Sequence, residues 1–166
     1  SYNELLEMQG LDYISLAEKV ISPFVGKNLN QLIGQISKKV YEKFDNKEKA
    51  PLIELEKNFY IMELFHGPTY AFKDYAMQLL SELFSEVLKN SKSKIVILGA
   101  TSGDTGSAAL EAFKEKENTD IFILFPHDRV SSVQRKQMTS INANGCFPLA
   151  VRTDFDGCQE LVKSLF

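Results

Sequence analysis

The alternation of strands and helices is clearest in residues 94–113, which read KIVILGATSGDTGSAALEAF. The stretch opens with a short apolar run typical of a buried strand, and apolar residues then recur at helical spacing after Gly106. Near-continuous apolar strands separated by amphipathic helices indicate an α/β fold. We therefore expect a three-layer open parallel sheet with helices on both faces. The predicted strands are 94–98, 120–125 and 146–151, and the predicted helices are 105–114, 131–139 and 157–166.

The chain before this region has a different pattern. Residues 1–46 carry apolar side chains at three- and four-residue spacing, which predicts a helical N-terminal segment. A polar run then ends in Pro51 and marks the best internal boundary. Residues 52–166 are expected to form a partial α/β domain. Its first elements are predicted as strands at 52–55 and 60–65 and a helix at 71–88.

Composition narrows the class of protein. The chain has 166 residues, of which 44% are hydrophobic, which suits one compact domain or a domain with an appendage. Its 19 basic and 22 acidic residues give a net charge of −3, so nucleic acid is not an expected partner. No apolar run approaches the ~20 residues of a membrane helix, and two cysteines are too few for a disulfide framework. We expect a soluble, cytoplasmic protein with no membrane partner and no metal site.

The first stretch with candidate chemistry is FHGPTYAFKD, residues 65–74. It places Lys73 in the first turn of a helix, where the partial positive charge disfavours a cation and favours a neutral, nucleophilic amine. His66 and Thr69 add an imidazole and a hydroxyl, and we expect all three at one strand-to-helix corner on the ligand-binding edge of the sheet. The alternatives are a solvated surface lysine and a structural histidine.

The second candidate is GATSGDTG, residues 99–106, which joins a strand to a helix. Its glycines allow close backbone approach, and the free N–H groups of the first helical turn would bind an anion together with hydroxyl groups of the loop. The spacing fits neither a P-loop nor a GxGxxG fingerprint. An ordinary helix start, capped by Ser102, Asp104 or Thr105, remains an equal alternative.

Two further strand ends carry polar residues. Arg129 could attract a phosphate or carboxylate, although a surface arginine beside Ser131 as a helix cap is favoured. Asp154 and Asp156 are interpreted as a turn and a helix N-cap rather than a catalytic carboxylate pair.

Several of these stretches together resemble the threonine synthase family, in the family's order and spacing. The resemblance runs from residue 52 onward and is looser over the helical first part. It implies the tryptophan-synthase-β type of fold, with pyridoxal 5'-phosphate carried by Lys73. It also implies a lyase of threonine biosynthesis that converts O-phosphohomoserine and water to threonine and phosphate. The matching positions are residues 66–74 and 100–106, Val130, Ser131, Gln134, Gln137, Met138, Asp156, Cys158, Gln159 and residues 161–163.

The resemblance also implies roles for individual residues. Lys73 is the catalytic residue, and Lys73, Phe72 and Asp104 bind the cofactor. The residues expected to bind substrate are Thr101, Ser102, Gly103, Thr105, His66 and Thr69.

Members of this family are more than twice as long as this chain, and their cofactor-phosphate loop falls after residue 166. The last predicted helix also stops without a glycine, asparagine or proline terminator. We therefore expect an N-terminal fragment with weak cofactor binding and no turnover alone. Two other functions stay open: a related phospho-lyase that gives 2-oxobutyrate, and a non-catalytic module that binds a small anion at residues 99–106 and tolerates loss of Lys73.

Overall fold

The computed structural model describes residues 2–89, 91 and 93–165. Its contacts divide the chain into two units, of which the first ends at His66 and the second begins at Gly67. The boundary at Pro51 expected from composition lies inside the first unit.

The first unit begins with short helices. Asp12 starts α2 by accepting a hydrogen bond from the Ser15 N–H at 2.8 Å. One face of α4 supplies the buried residues Ile33, Ile36 and Val40 at helical spacing, and α4 packs against α2. The helices are α1 (Tyr2–Leu6), α2 (Tyr13–Ile21), a 3₁₀ turn (Ser22–Phe24), α3 (Lys27–Asn30) and α4 (Ile33–Tyr41).

A two-stranded antiparallel hairpin completes this unit, formed by β1 (Leu52–Glu56) and β2 (Phe59–Met62). Asn58 takes a left-handed conformation with φ of 63°, which lets the two strands join through a tight turn. Such a short connection permits only antiparallel pairing. The strand before His66 was expected to belong to the same sheet as the later strands; instead β1 and β2 form a separate two-stranded sheet.

The second unit has the predicted alternation. Its three strands are all parallel, in the order β3-β4-β5. All the elements predicted here are present with ends shifted by a few residues, and Phe166, the last residue of the predicted final helix, lies outside the described residues. The elements are α5 (Asp74–Leu88), β3 (Ile95–Ala100), α6 (Asp104–Phe113), β4 (Thr119–Pro126), α7 (Ser132–Thr139), β5 (Cys146–Val151) and α8 (Phe155–Ser164).

Helices cover both faces of this sheet. Alternate residues of β4, including Ile121 and Phe125, pack with Leu110 of α6 in the main core. On the opposite face the rings of Phe122 and Phe147 stack with centroids 4.5 Å apart. Helix α6 packs against α5, α7, β4 and β5, whereas α8 returns to β3 and β4. This arrangement confirms the predicted three layers.

Because the strands are parallel, β3, β4 and β5 end at one edge, and α6, α7 and α8 each begin there. No helix in the described ranges has both the length and the apolarity needed to cross a membrane.

Candidate functional site

The loop before α5 folds back, so that its first residue lies against the first residue of the helix. The Tyr70 N–H donates to the Gly67 carbonyl at 3.1 Å, and Tyr70 itself has a left-handed φ of 60°. A side chain at Gly67 would place its Cβ 2.5 Å from Cβ of Asp74, so this position requires glycine. The loop therefore presses directly onto the first residue of α5.

Asp74 is the anchor of this loop. Its side chain is fully buried, and its two carboxylate oxygens accept hydrogen bonds from the Thr69 N–H and the Thr69 hydroxyl, each at 2.7 Å. Burial raises the pKa of Asp74, and the bonds from Thr69 act in the opposite direction. The residue next to Lys73 is thus fixed by the loop that precedes it.

Lys73 is the N-cap residue of α5 and is only partly buried. Its Nζ lies 4.2 Å from the centroid of the Phe72 ring, a cation–π contact with a ring that is itself 55% exposed. Within the described part of the chain, no carboxylate forms an ion pair with this amine. Lys73 and Phe72 therefore present an amine and an aromatic face that a small molecule can reach.

The glycine loop after β3 is held by the side chain of Thr101, which is 2% exposed. The Thr101 hydroxyl accepts hydrogen bonds from the N–H groups of Gly103 at 3.0 Å and Gly106 at 2.9 Å. It also lies 3.2 Å from the Gly103 carbonyl, to which it donates. The predicted substrate-binding hydroxyl of Thr101 is thus engaged in shaping the loop.

The start of α6 is left open toward its N-terminus. Gly103 is its N-cap residue, with a φ of 151° that strongly favours glycine, and it has no side chain to cap the helix, so within the described ranges the only first-turn N–H that a side chain binds is that of Gly106, through Thr101. Capping by Ser102, Asp104 or Thr105 is therefore not observed. Among the described residues, no acceptor bonds the N–H groups of Asp104 or Thr105, and Ser102 is exposed. This combination of free N–H groups and hydroxyls is suited to an anion.

Asp104 is bound from a neighbouring helix. Its Oδ1 accepts a hydrogen bond from Nε2 of Gln134 at 2.6 Å. Gln134 also forms a capping box with Ser131, which confirms Ser131 as the cap of α7. The same amide occupies the space beside Gly103, where a Cβ would lie 2.4 Å from Cδ of Gln134.

A second glutamine of α7 contacts the lysine loop, which is the loop of residues 67–73 before α5. Nε2 of Gln137 donates to the Thr69 carbonyl at 3.1 Å. Gln134 and Gln137 match the family pattern in the sequence, but no role was predicted for either residue. Their three-residue spacing on a helix that begins at the same sheet edge was the available signal.

His66 belongs to the first unit, and its contacts are with residues of that unit. Nδ1 lies 2.7 Å from a carboxylate oxygen of Asp45, and Nε2 lies 2.8 Å from one of Glu63. The hydrogen bond to Glu63, followed by that to Asp45, raises the pKa of His66. Contact between a ring nitrogen and substrate would require the loss of one of these bonds, so the substrate role of His66 stays a prediction.

The remaining polar strand ends have structural roles. Oδ1 of Asp154 accepts from the Gly157 N–H at 2.9 Å and caps α8, as interpreted from the sequence, and Asp156 lies in the first turn of that helix. Arg129 is exposed, and its N–H closes a turn by donating to the Pro126 carbonyl.

An apolar cavity of about 250 Å³ is lined in part by the glycine loop. Its walls come from α5, α6, β3 and β4, with Met77, Phe84 and Ile97 among them, and the loop contributes Thr101 and Thr105. Its lining offers almost no charged or polar groups, so the anion-binding side of the loop is the side that carries the free N–H groups.

The α/β fold of this chain is similar to that of solved threonine synthases. The chain superposes on a solved, PLP-bound threonine synthase from Brucella melitensis with a TM-score of 0.89 and 42% identity, covering 100% of this chain and 36% of that one. The threonine synthase structure from Escherichia coli matches with a TM-score of 0.86 and 32% identity, covering 99% of this chain and 37% of that one.

The sequence comparison identifies the relatives more narrowly. The chain is 46% identical over 164 residues to the threonine synthase of Pseudomonas aeruginosa, covering 98% of this chain and 35% of that protein. No family model matches the chain. The chain is therefore homologous to threonine synthases over nearly its whole length, and it spans about a third of the length of the relatives that it matches.

Proposed function

We propose that this chain is the part of a threonine synthase that carries the reactive lysine. The protein that contains it would convert O-phosphohomoserine and water to threonine and phosphate, in the cytoplasm. The observation that carries the proposal is the placement of Lys73 by Asp74, in a loop that α7 joins to an open, glycine-rich helix start. The identity of 46% to a threonine synthase supports the same function.

Pyridoxal 5'-phosphate is the cofactor that we assign to this site. The chemistry of the residues fits it, because Lys73 offers a partly accessible amine for covalent attachment and Phe72 an exposed aromatic face. When bound, the cofactor supplies an electron sink for carbanion chemistry. Asp104 is the third residue that we expect near the cofactor.

Lys73 would also move protons. A neutral amine at Nζ can accept a proton from a substrate carbon and return it at a neighbouring position. The loop that Asp74 and Thr69 form fixes the backbone from which this side chain extends, and a fixed starting point favours efficient proton transfer. Thr69 serves substrate binding indirectly in this scheme, by shaping the loop.

The glycine loop would receive the carboxylate of the substrate. The N–H groups of Asp104 and Thr105 and the hydroxyls of Ser102 and Thr105 are the donors, while Thr101 and Gly103 set the loop's shape. The carboxylate of Asp104 opposes an incoming anion, and its hydrogen bond from Gln134 holds it in place at the loop's edge.

A product assay with a lysine variant tests this function. The full-length protein that carries these 166 residues is loaded with pyridoxal 5'-phosphate and given O-phosphohomoserine, and threonine, 2-oxobutyrate and phosphate are quantified. We expect threonine and phosphate in equal amounts, and a loss of at least about 100-fold in Lys73→Ala. The exposed lysine in Lys136→Ala is the matched control and should leave the rate unchanged. Release of 2-oxobutyrate would favour the phospho-lyase, and binding of anions without turnover would favour the binding module.

A further inference from the structure

Helix α7 contacts both loops of the candidate site through one face. Gln134 and Gln137 stand three residues apart, so their side chains lie on the same side of the helix. Gln134 binds Asp104 at the start of α6, and Gln137 binds the Thr69 carbonyl in the lysine loop. A single helix face thus connects the anion-binding loop with the loop that ends in Lys73.

Both the nitrogen and the oxygen of the Gln134 side-chain amide form hydrogen bonds. While Nε2 of Gln134 donates to Asp104, its Oε1 accepts from the Ser131 N–H at 3.2 Å and from the Ser131 hydroxyl at 2.9 Å. The amide also fills the space that Gly103 leaves by lacking a side chain. The first turn of α7 is therefore fixed to the loop in position and in orientation.

Thr69 and Asp74 connect Gln137 to Lys73. Gln137 holds the carbonyl of Thr69, whose N–H and hydroxyl both donate to Asp74. Asp74 is the residue directly after Lys73. Met138, next to Gln137, is completely buried in the core, which prevents α7 from rotating away.

We propose that Gln134 and Gln137 are positioning residues that set the separation between the Lys73 amine and the anion-binding loop. Three residues of helix advance by about 4.5 Å, so the glutamine pair acts as a rigid spacer between the two loops. The inference rests on the proposed function, because it gives that separation a catalytic purpose. Neither glutamine is required to touch the substrate.

Two nearly isosteric variants test the inference in the full-length protein that carries these residues. Gln137→Glu places a carboxylate oxygen against the Thr69 carbonyl, and Gln134→Glu places one against the Asp104 carboxylate. Lys136→Gln changes the net charge in the same direction and by the same amount on an exposed position of the same helix, and it serves as the control. Gln137→Met removes the donor while keeping the side-chain length and adding no charge.

Amide hydrogen exchange of the cofactor-free protein gives a readout independent of activity. We expect Gln137→Glu to speed exchange in residues 67–73 and Gln134→Glu to speed it in residues 102–106, with the other loop less affected in each case. In threonine formation we expect kcat to fall about 10- to 100-fold in both variants, because a shift of about 1 Å in a reacting group costs this much. KM should change by less than about threefold in Gln137→Glu, and it should rise in Gln134→Glu, whose added charge lies beside the loop that would bind the substrate carboxylate. Lys136→Gln should match the unsubstituted protein in both measurements.

The outcomes separate the two proposals. Unchanged exchange and unchanged kcat in both variants would overturn the positioning role while leaving the proposed function intact. Loss of kcat that only follows a lowered urea midpoint in Gln137→Glu, with normal kcat in a fully folded Gln137→Met, would also overturn it. If the unsubstituted protein forms no threonine, the proposed function fails, and the exchange pattern alone then decides whether α7 sets the geometry of the two loops.

Discussion

Asp74 explains why a basic residue is tolerated at the start of α5. Helix N-termini favour acidic side chains and disfavour basic ones, and Asp74 supplies the acidic group one position after Lys73. Its carboxylate turns back into the loop and binds Thr69 rather than facing solvent. The amine is thereby left at the surface of a loop whose shape is held from within.

The fit between Gly67 and Asp74 gives a direct test of this loop. In Gly67→Ala the new Cβ would lie 2.5 Å from Cβ and 2.6 Å from Oδ2 of Asp74, so one of the two residues must move. We expect the free energy of unfolding to fall by about 1–3 kcal/mol, measured by urea denaturation. Gly26→Ala is the control, because no atom lies within 4 Å of its added Cβ. Equal stability of the two variants would contradict the tight packing.

His66 predicts a pH dependence in the first unit. Because the Glu63 and Asp45 carboxylates raise the pKa of His66, its contribution to stability is fully present below the unfolded pKa of about 6.5 and is lost as the pH rises through the folded pKa. His66→Asn should therefore lower the urea midpoint near pH 6, and the difference should shrink near pH 9. His127→Asn, at an imidazole that is half exposed, is the control. A pH-independent loss in His66→Asn would show that the histidine acts only through its shape.

Among the elements, α7 has the clearest sequence signals for where it begins, whereas the sequence shows only that its two glutamines share a face and not which residues they contact. Ser131 and Gln134 form a capping box, and the sequence predicted Ser131 as the cap. The contact between Gln134 and Asp104 spans 30 residues of sequence. Periodicity and capping rules describe only neighbours along the chain, so a bond of this kind could not be derived from them.

The capping box itself is testable. Ser131→Ala removes the acceptor of the Gln134 N–H and one of the donors to the Gln134 side chain. We expect a loss of about 1 kcal/mol in the free energy of unfolding. Ser132→Ala, at the exposed next position, should change stability by less than about 0.5 kcal/mol. Similar losses in both variants would mean that the cap does not stabilise α7.

Short apolar runs predicted the two strands of the hairpin but not their pairing. Residues 52–55 and 60–65 were expected as short strands, and both strands are present, with β2 ending earlier, at Met62. The Asn58 turn between them was the missed signal, since asparagine tolerates the left-handed conformation that a tight hairpin needs. Beyond β2, the side chains of Glu63 and Asp45 bind the His66 ring.

For the whole molecule, the parallel sheet followed from the alternation of apolar runs and amphipathic stretches, because strand and helix periods differ strongly. Lys73 and the glycine loop were also predicted from the sequence, because a lysine and a glycine-rich stretch stand at predicted helix starts. Phe72 was predicted from the family resemblance. The structural roles of the Thr101 and Thr69 hydroxyls were not predicted. Their partners lie only two to five residues away along the chain, but these bonds form in irregular loops, to which the helix and strand periods do not apply.

The chain spans about a third of the length of its relatives, 35% of the Pseudomonas aeruginosa protein. The second unit nonetheless contains both loops and the helix that joins them. The attachment of the cofactor to Lys73 can be measured by covalent trapping in the full-length protein that carries these residues.

That measurement is borohydride reduction after incubation with pyridoxal 5'-phosphate, followed by peptide mass mapping of the adduct. We expect one predominant adduct on Lys73, which disappears in Lys73→Ala and persists in Lys136→Ala. Modification spread evenly over surface lysines, with Lys73 no more reactive than Lys136, would contradict it.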